Sequence, residues 1–322
     1  MILTLTPNPA VDLTVHGGRV LAGESHRVPP AAAQAGGKGV NVARVLHARG
    51  IPTIAVAPVG GDTGRLFERD IAAAGVPHRL IPVGAPTRRS IAIVDETAGQ
   101  TTIFNETGAA LSDVDWDAVM AAVSGSAADA RCLVGSGSLP PGAPVDLYAR
   151  LVRVARDLDV PSVIDATGPA LLQAAEAGAR LLKPNRRELE ESTGEAEPLR
   201  GADRLLDAGA HAVLVSLGEA GMLLVTRESD APLRAGLDAA LPGNPTGAGD
   251  AAVAAAAVTL AEHPRRSDFP RELLLRRATT WSAAAVLSPV AGRLGTEPEL
   301  LEERLIIQAQ SGTTTHPASE RE

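Results

Sequence analysis

The sequence of 322 residues is poor in cysteine and in aromatic side chains. Its single cysteine, Cys132, excludes a disulfide within the chain and any metal site that needs several cysteines, and it fits a reducing, cytoplasmic setting. Aromatic residues make up only 2% of the chain, whereas hydrophobic residues make up 45%. We therefore expect an aliphatic core in which helices pack against a sheet.

The chain also lacks an excess of positive charge and a long hydrophobic run. A formal net charge of -8 argues against a nucleic-acid-binding protein, because the phosphate backbone repels such a surface. The most apolar run, residues 251–261, is far shorter than the roughly 20 residues of a membrane helix. The N-terminus has no basic region, and Pro7 and Pro9 interrupt it, so no signal peptide is predicted. We expect a soluble protein that binds neither nucleic acid nor membranes.

Short apolar runs alternate with amphipathic stretches along most of the chain. This alternation predicts an α/β fold with a central, mostly parallel sheet flanked by helices. The predicted strands are 2–6, 53–59, 131–135, 162–165, 180–183 and 212–216. The predicted helices are 38–49, 145–158 and 248–261.

Two segments, about 12–34 and 87–105, show strand patterns without helices. Residues 90–95 and 100–104 flank a Thr-Ala-Gly turn as the arms of a hairpin would. We expect these segments to form a small antiparallel sheet that acts as a lid, and to pair with a second copy of the chain in a homodimer. Residues 1–308, which include these two segments, are predicted as one domain, and the polar tail 309–322 as disordered.

The strongest local motif is GNPTGAGD at residues 243–250, directly before an apolar helix. Backbone N–H groups at the glycine-rich start of a helix favour an anion such as a phosphate. A carboxylate there, Asp250, can accept the proton of an attacking hydroxyl. The same motif also fits an aspartate that only complements the helix dipole, and both interpretations remain open for the motif alone.

A second motif, QAGGKGVNVA at residues 34–43, surrounds Lys38 with three glycines and places Asn41 one helical turn from it. It lacks the spacing of a P-loop, so it does not predict a Walker-type nucleotide site. A glycine-rich turn with a solvated lysine explains this motif equally well when it is considered alone.

Together the two motifs resemble the PfkB (ribokinase-like) carbohydrate kinases, whose members carry G-G-x-G-x-N-x-A and, later in the chain, G-A-G-D. Four segments between them extend the resemblance: 135–142, 163–165, 183–189 and 215–221. The resemblance covers residues 1–305 and implies a ribokinase-like fold with a β-sheet lid.

The resemblance also implies how the site residues are distributed. Asp250 would be the catalytic base, with stabilisation of the transferring phosphoryl group by the amides of Gly247, Ala248 and Gly249. Binding of ATP would involve Lys183, Asn185, Ser216, Gly218 and Gly221. Mg²⁺ would be positioned, through water, by Asn185 and Glu188, although these two residues by themselves also predict an ordinary helix cap.

Within the family, the opening TPNPAVD at residues 6–12 and the SLPPG at 138–142 look like the phosphosugar branch. Asp12, Gly37 and Asn41 would then bind sugar hydroxyls. The sugar phosphate would be held by Arg27, Lys38, Arg88 and Ser138.

The implied reaction is transfer of a phosphoryl group from ATP to a hydroxymethyl group of a ketohexose phosphate. Lys38 favours a 1-phosphofructokinase, and the alternatives are tagatose-6-phosphate kinase, 6-phosphofructokinase, a kinase for an unphosphorylated sugar or nucleoside, and a non-catalytic sugar sensor. Pro245 departs from the family pattern and removes a backbone N–H from a loop that binds a monovalent cation in many relatives, which argues against potassium activation.

Overall fold

The computed structural model describes residues 1–227 and 229–310. Its centre is a ten-stranded sheet with the order β14-β13-β12-β11-β10-β9-β8-β1-β4-β5. The segment from β11 to β5 is parallel, whereas β12, β13 and β14 join antiparallel. The strands of this sheet are β1 Ile2–Leu5, β4 Thr53–Val59, β5 His78–Pro82, β8 Cys132–Ser136, β9 Ser162–Asp165, β10 Leu181–Leu182, β11 Ala212–Ser216, β12 Met222–Thr226, β13 Ser229–Leu237 and β14 Leu305–Ala309.

Helices cover both faces of this sheet and bury alternate residues of its strands. Leu3 and Leu5 of β1 pack into one core with helices α3 to α7, whereas Ile2 packs into the other with α1, α8 and α9. The helices are α1 Lys38–Ala48, α2 Gly61–Ala73, α3 Asp113–Ser126, α4 Leu147–Asp157, α5 Pro169–Glu176, α6 Arg186–Thr193, α7 Pro198–Ala208, α8 Ala248–Glu262 and α9 Arg271–Val286. No helix in the described part of the chain is long and apolar enough to cross a membrane.

A separate four-stranded sheet, which we call the lid, has the order β3-β2-β6-β7. Its strands are β2 Ala10–Gly17, β3 Ala32–Gly36, β6 Arg88–Asp95 and β7 Gln100–Asn105. The expectation of an antiparallel sheet was wrong for one pair, because β2 and β6 are parallel. Strand β2 follows β1 of the main sheet, and β6 follows β5. The segment of the main domain between β2 and β6 therefore provides the long connection that a parallel pair requires.

The six predicted strands and three predicted helices are confirmed, with ends that differ by at most two residues. The prediction omitted β5 and the antiparallel strands β12 to β14. Strand β14 continues one residue past the predicted domain end at 308, because Ala309 pairs with Leu233. Residues 311–322, for which we predicted disorder, lie outside the described residues.

Candidate active site

One cavity of about 1110 Å³ lies where the lid faces the carboxyl ends of the main strands. Its volume is sufficient for both a nucleotide and a small sugar phosphate. The predicted site residues that line it are Asp12, Gly37, Lys38, Asn41, Arg88, Ser138, Lys183, Asn185, Glu188, Ser216, Gly218, Gly221, Gly247, Ala248, Gly249 and Asp250.

Arg27 is the exception among the predicted site residues. It lies in the exposed segment between β2 and β3 and does not line this cavity in the described chain. The sequence pattern could not show this, because residues 18–31 form no strand that would fix the direction of the arginine. Its assignment to the sugar phosphate therefore has no geometric support within a single chain.

Asp250 lies in the first turn of α8, lines the cavity, and is 6% exposed. Asn41 of α1 donates a hydrogen bond from Nδ2 to Asp250 Oδ2 at 2.9 Å. Burial and the nearby carboxylate of Asp165 raise the pKa of Asp250 to about 7, against the opposing effects of Lys38, Asn41 and Lys183. A carboxylate with such a pKa can both accept and release a proton near neutrality.

The start of α8 provides an anion-binding site. Gly247 adopts a left-handed conformation with φ of 86°, which turns the chain into the helix. The amides of Gly247 and Gly249 have no hydrogen-bond partner within residues 1–227 and 229–310, whereas the Ala248 amide donates to the Pro245 carbonyl at 3.2 Å. Two of the three amides that we predicted for the transferring phosphoryl group are thus available in this conformation.

Beside Asp250 lies a cluster of two lysines and two carboxylates. Lys38 Nζ lies 3.0 Å from Glu188 Oε1 and 3.2 Å from Asp165 Oδ1. Lys183 Nζ lies 3.9 Å from the same Asp165 oxygen. Burial alone would raise the pKa of Asp165, but Lys183 and Lys38 hold it below its ordinary value. Asp165 is therefore ionised and interacts electrostatically with both lysines.

Asp165 ends one of the segments, 163–165, that carry the family resemblance, but we did not assign it to the site from the sequence. It is 1% exposed, and Ser136 Oγ donates to it at 3.2 Å. Its position at the carboxyl end of β9 was the available signal, because the ligands of open α/β sheets bind at that edge.

Asn185 and Glu188 form the capping box of α6. Asn185 Oδ1 accepts from the Glu188 amide, and Glu188 Oε2 accepts from the Asn185 amide, both at 2.9 Å. The helix-cap interpretation is thus confirmed, and the cap leaves Glu188 Oε1 directed into the cavity towards Lys38. No group of three metal-ligating side chains occurs in the described residues. The residues fit Mg²⁺ nonetheless, because this ion commonly keeps its waters and uses one or two carboxylates together with substrate phosphates.

The lid side of the cavity carries a different pair of charges, Asp12 and Arg88. Burial raises the pKa of Asp12 to about 6, and Arg88 and Arg44 oppose this rise. Arg88 is fixed by two backbone acceptors, since its Nε donates to the Asn8 carbonyl at 3.2 Å and its Nη1 to the Glu106 carbonyl at 3.3 Å. The remaining N–H groups of its guanidinium are available to a ligand.

Asn8 connects the parts of this lid-side subsite. Its Nδ2 donates to the Thr107 carbonyl at 3.1 Å and to Ser138 Oγ at 3.3 Å, while its own carbonyl accepts from Arg88. The motif TPNPAVD thus has a structural reason for its asparagine, which the sequence analysis did not identify.

The opposite end of the cavity is less polar. It is bounded by Ser216, by the 3₁₀ turn Gly218–Ala220, and by one face of α9. The lining residues of α9 are Thr279, Ser282, Ala283 and Val286, which are spaced as neighbours on one helical face. Small side chains on a helix face leave room for a flat aromatic ring, but the same spacing is typical of core packing, so sequence reasoning missed them.

A family model places these features in context. The model of the pfkB family carbohydrate kinases matches residues 8–296. The chain belongs to this family. It is therefore an ATP-dependent carbohydrate kinase, and the predictions of the family, the fold and the enzyme class are confirmed.

Relatives of this kinase include enzymes for two fructose phosphates. The ATP-dependent 6-phosphofructokinase isozyme 2 of Mycobacterium tuberculosis is 38% identical over 265 residues, which cover 80% of this kinase and 77% of that protein. The 1-phosphofructokinase of Bacillus subtilis is 31% identical over 302 residues, which cover 92% of this kinase and 95% of that protein.

Among solved structures, phosphofructokinase-2 from Escherichia coli in complex with fructose-6-phosphate has a TM-score of 0.83 and 28% identity. The match covers 94% of this kinase and 98% of the Escherichia coli chain. The same Escherichia coli protein has also been solved in complex with potassium. Our expectation that the present kinase is not activated by potassium stays a prediction.

Proposed function

We propose that the kinase transfers the γ-phosphoryl group of ATP to a hydroxymethyl group of a ketohexose phosphate. The observation that supports this best is the separation of charges in one cavity. Arg88 and Asp12 lie on the lid side, the lysine–carboxylate cluster lies at the strand ends, and Asp250 stands at the free amides of α8. The cavity thus offers a cationic subsite for the phosphate of the acceptor, a carboxylate that can act as the base, and a second anion-binding subsite for the transferring phosphoryl group.

In the proposed reaction Asp250 accepts the proton of the attacking hydroxyl. A bond forms between that oxygen and the γ-phosphorus, and the bond between the γ-phosphorus and the β–γ bridging oxygen breaks. The products are ADP and a ketohexose bisphosphate. The amides of Gly247 and Gly249, together with the helix dipole, stabilise the negative charge that is spread over the transferring oxygens.

Lys38 serves the transferring phosphoryl group in this proposal. From the sequence we assigned it to the sugar phosphate together with Arg88. Its ion pairs, however, are with Asp165 and Glu188, and its charge also acts on Asp250. The ammonium group can reach a phosphate that lies beside Asp250 by exchanging one carboxylate for a phosphate oxygen.

Asp165 and Glu188 are the residues that would hold Mg²⁺, through water or directly, and Asn185 would keep Glu188 in place through the helix cap. When bound, the ion would neutralise charge on the phosphates of ATP.

Fructose 1-phosphate is our first candidate acceptor and fructose 6-phosphate the second. The first is supported by 1-phosphofructokinase relatives that match over almost their whole length. The second is supported by the higher identity to the Mycobacterium tuberculosis 6-phosphofructokinase isozyme 2. With either acceptor, the phosphate would lie at Arg88 and a terminal hydroxymethyl group at Asp250.

A panel of acceptors tests this proposal. ADP release is measured with fructose 1-phosphate, fructose 6-phosphate, tagatose 6-phosphate, fructose and ribose, each with MgATP. We expect kcat/KM for one ketohexose phosphate to exceed that for every free sugar by about 10²-fold or more, since a charge-assisted phosphate contact contributes ~1.5–3 kcal/mol and several act together. A free sugar or nucleoside as the best substrate would contradict the proposal.

The pH dependence of the same reaction tests the role of Asp250. Because its pKa is raised to about 7, the base is protonated below that pH and ionised above it. We therefore expect kcat/KM for the sugar phosphate to rise with pH through a limb near pH 7. The hydrogen bond from Asn41 favours the ionised form, so the limb should move to higher pH in Asn41→Ala. A flat profile between pH 6 and about 8 would count against Asp250 as the base.

Pairing of two lids in a homodimer also remains a proposal. It is supported by the exposure of a large apolar side chain on β7, Phe104, which is 58% exposed and does not line the cavity. One solved structure of the Escherichia coli phosphofructokinase-2 is described as a tetrameric inhibited form, so association is known for a relative.

A further inference from the structure

An ion pair between Arg44 and Asp70 holds both backbone hydrogen-bonding groups of Ala35, a residue of the lid. Ala35 lies near the end of β3, the strand at the edge of the lid sheet. Its N–H donates to Asp70 Oδ2 at 2.7 Å, and its carbonyl accepts from Arg44 Nε at 3.2 Å. Arg44 Nη2 in turn pairs with the same Asp70 oxygen. These three contacts close a ring that joins β3 to α1 and α2.

The position of Ala35 in the sheet explains why its backbone needs these partners. Ala35 faces Val11 of β2 in the antiparallel register, and both of its backbone groups bond to the ion pair on the outer side. The outer edge of a strand would otherwise present unpaired N–H and C=O groups. A polar side chain could satisfy them, but here an arginine and an aspartate do so together.

For a purely structural contact, the desolvation of Arg44 in this ion pair costs a large amount of free energy. The side chain of Arg44 is only 8% exposed, and the backbone of Gly292 packs on it so closely that a Cβ there would lie 3.0 Å from Arg44 Cδ. Taking the charge of Arg44 out of water costs free energy that its pairing with Asp70, which is 34% exposed, commonly no more than offsets, and an apolar pair of similar size is often as stable. A role in positioning the backbone accounts for the charges better than stability does.

The backbone that the pair holds leads directly into the sugar subsite. Gly36 follows Ala35, and its Cα lies against the carboxylate of Asp12, since a Cβ there would lie 1.9 Å from Asp12 Oδ2. Gly37 and Lys38 come next and line the cavity. A shift of Ala35 would therefore move the wall against which Asp12 rests.

We propose that Arg44 and Asp70 are positioning residues, which fix the junction between lid and main domain and thereby set the place of Asp12 in the acceptor subsite. The inference rests on the proposed function, because it assigns Asp12 to the sugar. Neither residue touches the reacting groups. Their loss should consequently weaken the binding of the acceptor and leave the ATP subsite, on the other side of Asp250, almost unchanged.

The test compares Asp70→Ala, Asp70→Asn and, as a matched control, Asp62→Ala on the same helix α2. Asp62 forms an exposed ion pair with Arg65, so its loss removes a charge from α2 without touching β3. We expect Asp70→Ala to raise KM for the ketohexose phosphate about tenfold or more, and KM for ATP less than about twofold, whereas Asp62→Ala changes neither. Asp70→Asn keeps an oxygen for the Ala35 amide and should recover part of the loss.

Hydrogen–deuterium exchange of the peptide that covers residues 32–38 provides a readout independent of turnover. Exchange there should be about tenfold faster in Asp70→Ala than in Asp62→Ala, because the Ala35 amide loses its acceptor. Equal rises of both KM values, or unchanged exchange, would overturn the inference. If no sugar phosphate is a substrate even for the unmodified kinase, the proposed function fails, and the exchange experiment still decides whether the pair fixes β3.

Discussion

Replacing Asp250 by asparagine is expected to lower kcat about 10³-fold, within the range that a positioned general base contributes. The amide has the same shape but cannot accept a proton from the attacking hydroxyl. Binding of ATP should be retained or slightly tighter, because one of three neighbouring carboxylates no longer repels the phosphates. Steady-state kinetics and a calorimetric titration with ATP measure the two effects.

The matched control for Asp250→Asn is Asp62→Asn. Asp62 also lies in the first turn of a helix, where an acidic side chain complements the dipole, but it is exposed and outside the cavity. If the role of Asp250 were only to stabilise its helix, both substitutions would lower the melting temperature and neither would abolish turnover. A loss of kcat confined to Asp250→Asn separates the catalytic role from the helix-dipole interpretation that the sequence left open.

Replacing Arg88 by alanine is expected to raise KM for the sugar phosphate about 10²-fold, since removing one partner of a buried charge pair costs ~2–5 kcal/mol. The effect should be confined to phosphorylated acceptors, because a free sugar has no group for the guanidinium to bind. Comparing kcat/KM for the preferred sugar phosphate and for fructose checks this. An unchanged KM in Arg88→Ala would instead favour a kinase for unphosphorylated sugars.

Arg89→Ala is the control for this variant. Arg89 is the next residue of β6, and its exposed side chain does not line the cavity, although it lies 3.8 Å from Glu106, which does. Both substitutions remove one positive charge from the lid, so they alter long-range attraction of a phosphate equally. Only the loss of Arg88 should change KM by more than about twofold, because exposed charges are screened by salt.

Lys38→Met distinguishes the two assignments of Lys38. If the lysine acts on the transferring phosphoryl group, as its pairing with Asp165 and Glu188 suggests, kcat should fall while KM for the sugar phosphate stays nearly constant. If it binds the sugar phosphate, as the sequence analysis predicted, KM should rise as in Arg88→Ala.

Much of the fold could be predicted because its signals are local. The apolar runs of β4, β9 and β11 were predicted with the bounds that the structure shows. Helix α8 was identified from GAGD followed by an apolar run, since capping and periodicity act over a few residues. The antiparallel strands β12 to β14 were missed, because an edge pairing depends on partners far along the chain.

The sequence by itself identified the family and, with it, the class of reaction that this kinase performs. Asp250 stands at the start of a helix behind two glycines, and the order of the glycine motifs restricts the fold that can bring them together. Those features are properties of neighbouring residues, so they survive in the linear sequence.

Only the tertiary structure decided which charges meet. It placed Lys38 between Asp165 and Glu188, 127 and 150 residues away, and left Arg27 outside the cavity. It also joined Arg44 and Asp70 around the backbone of Ala35. Electrostatic partners are set by distances of a few ångströms in the folded chain, and contacts between segments distant in sequence have no period or spacing that a linear pattern could reveal.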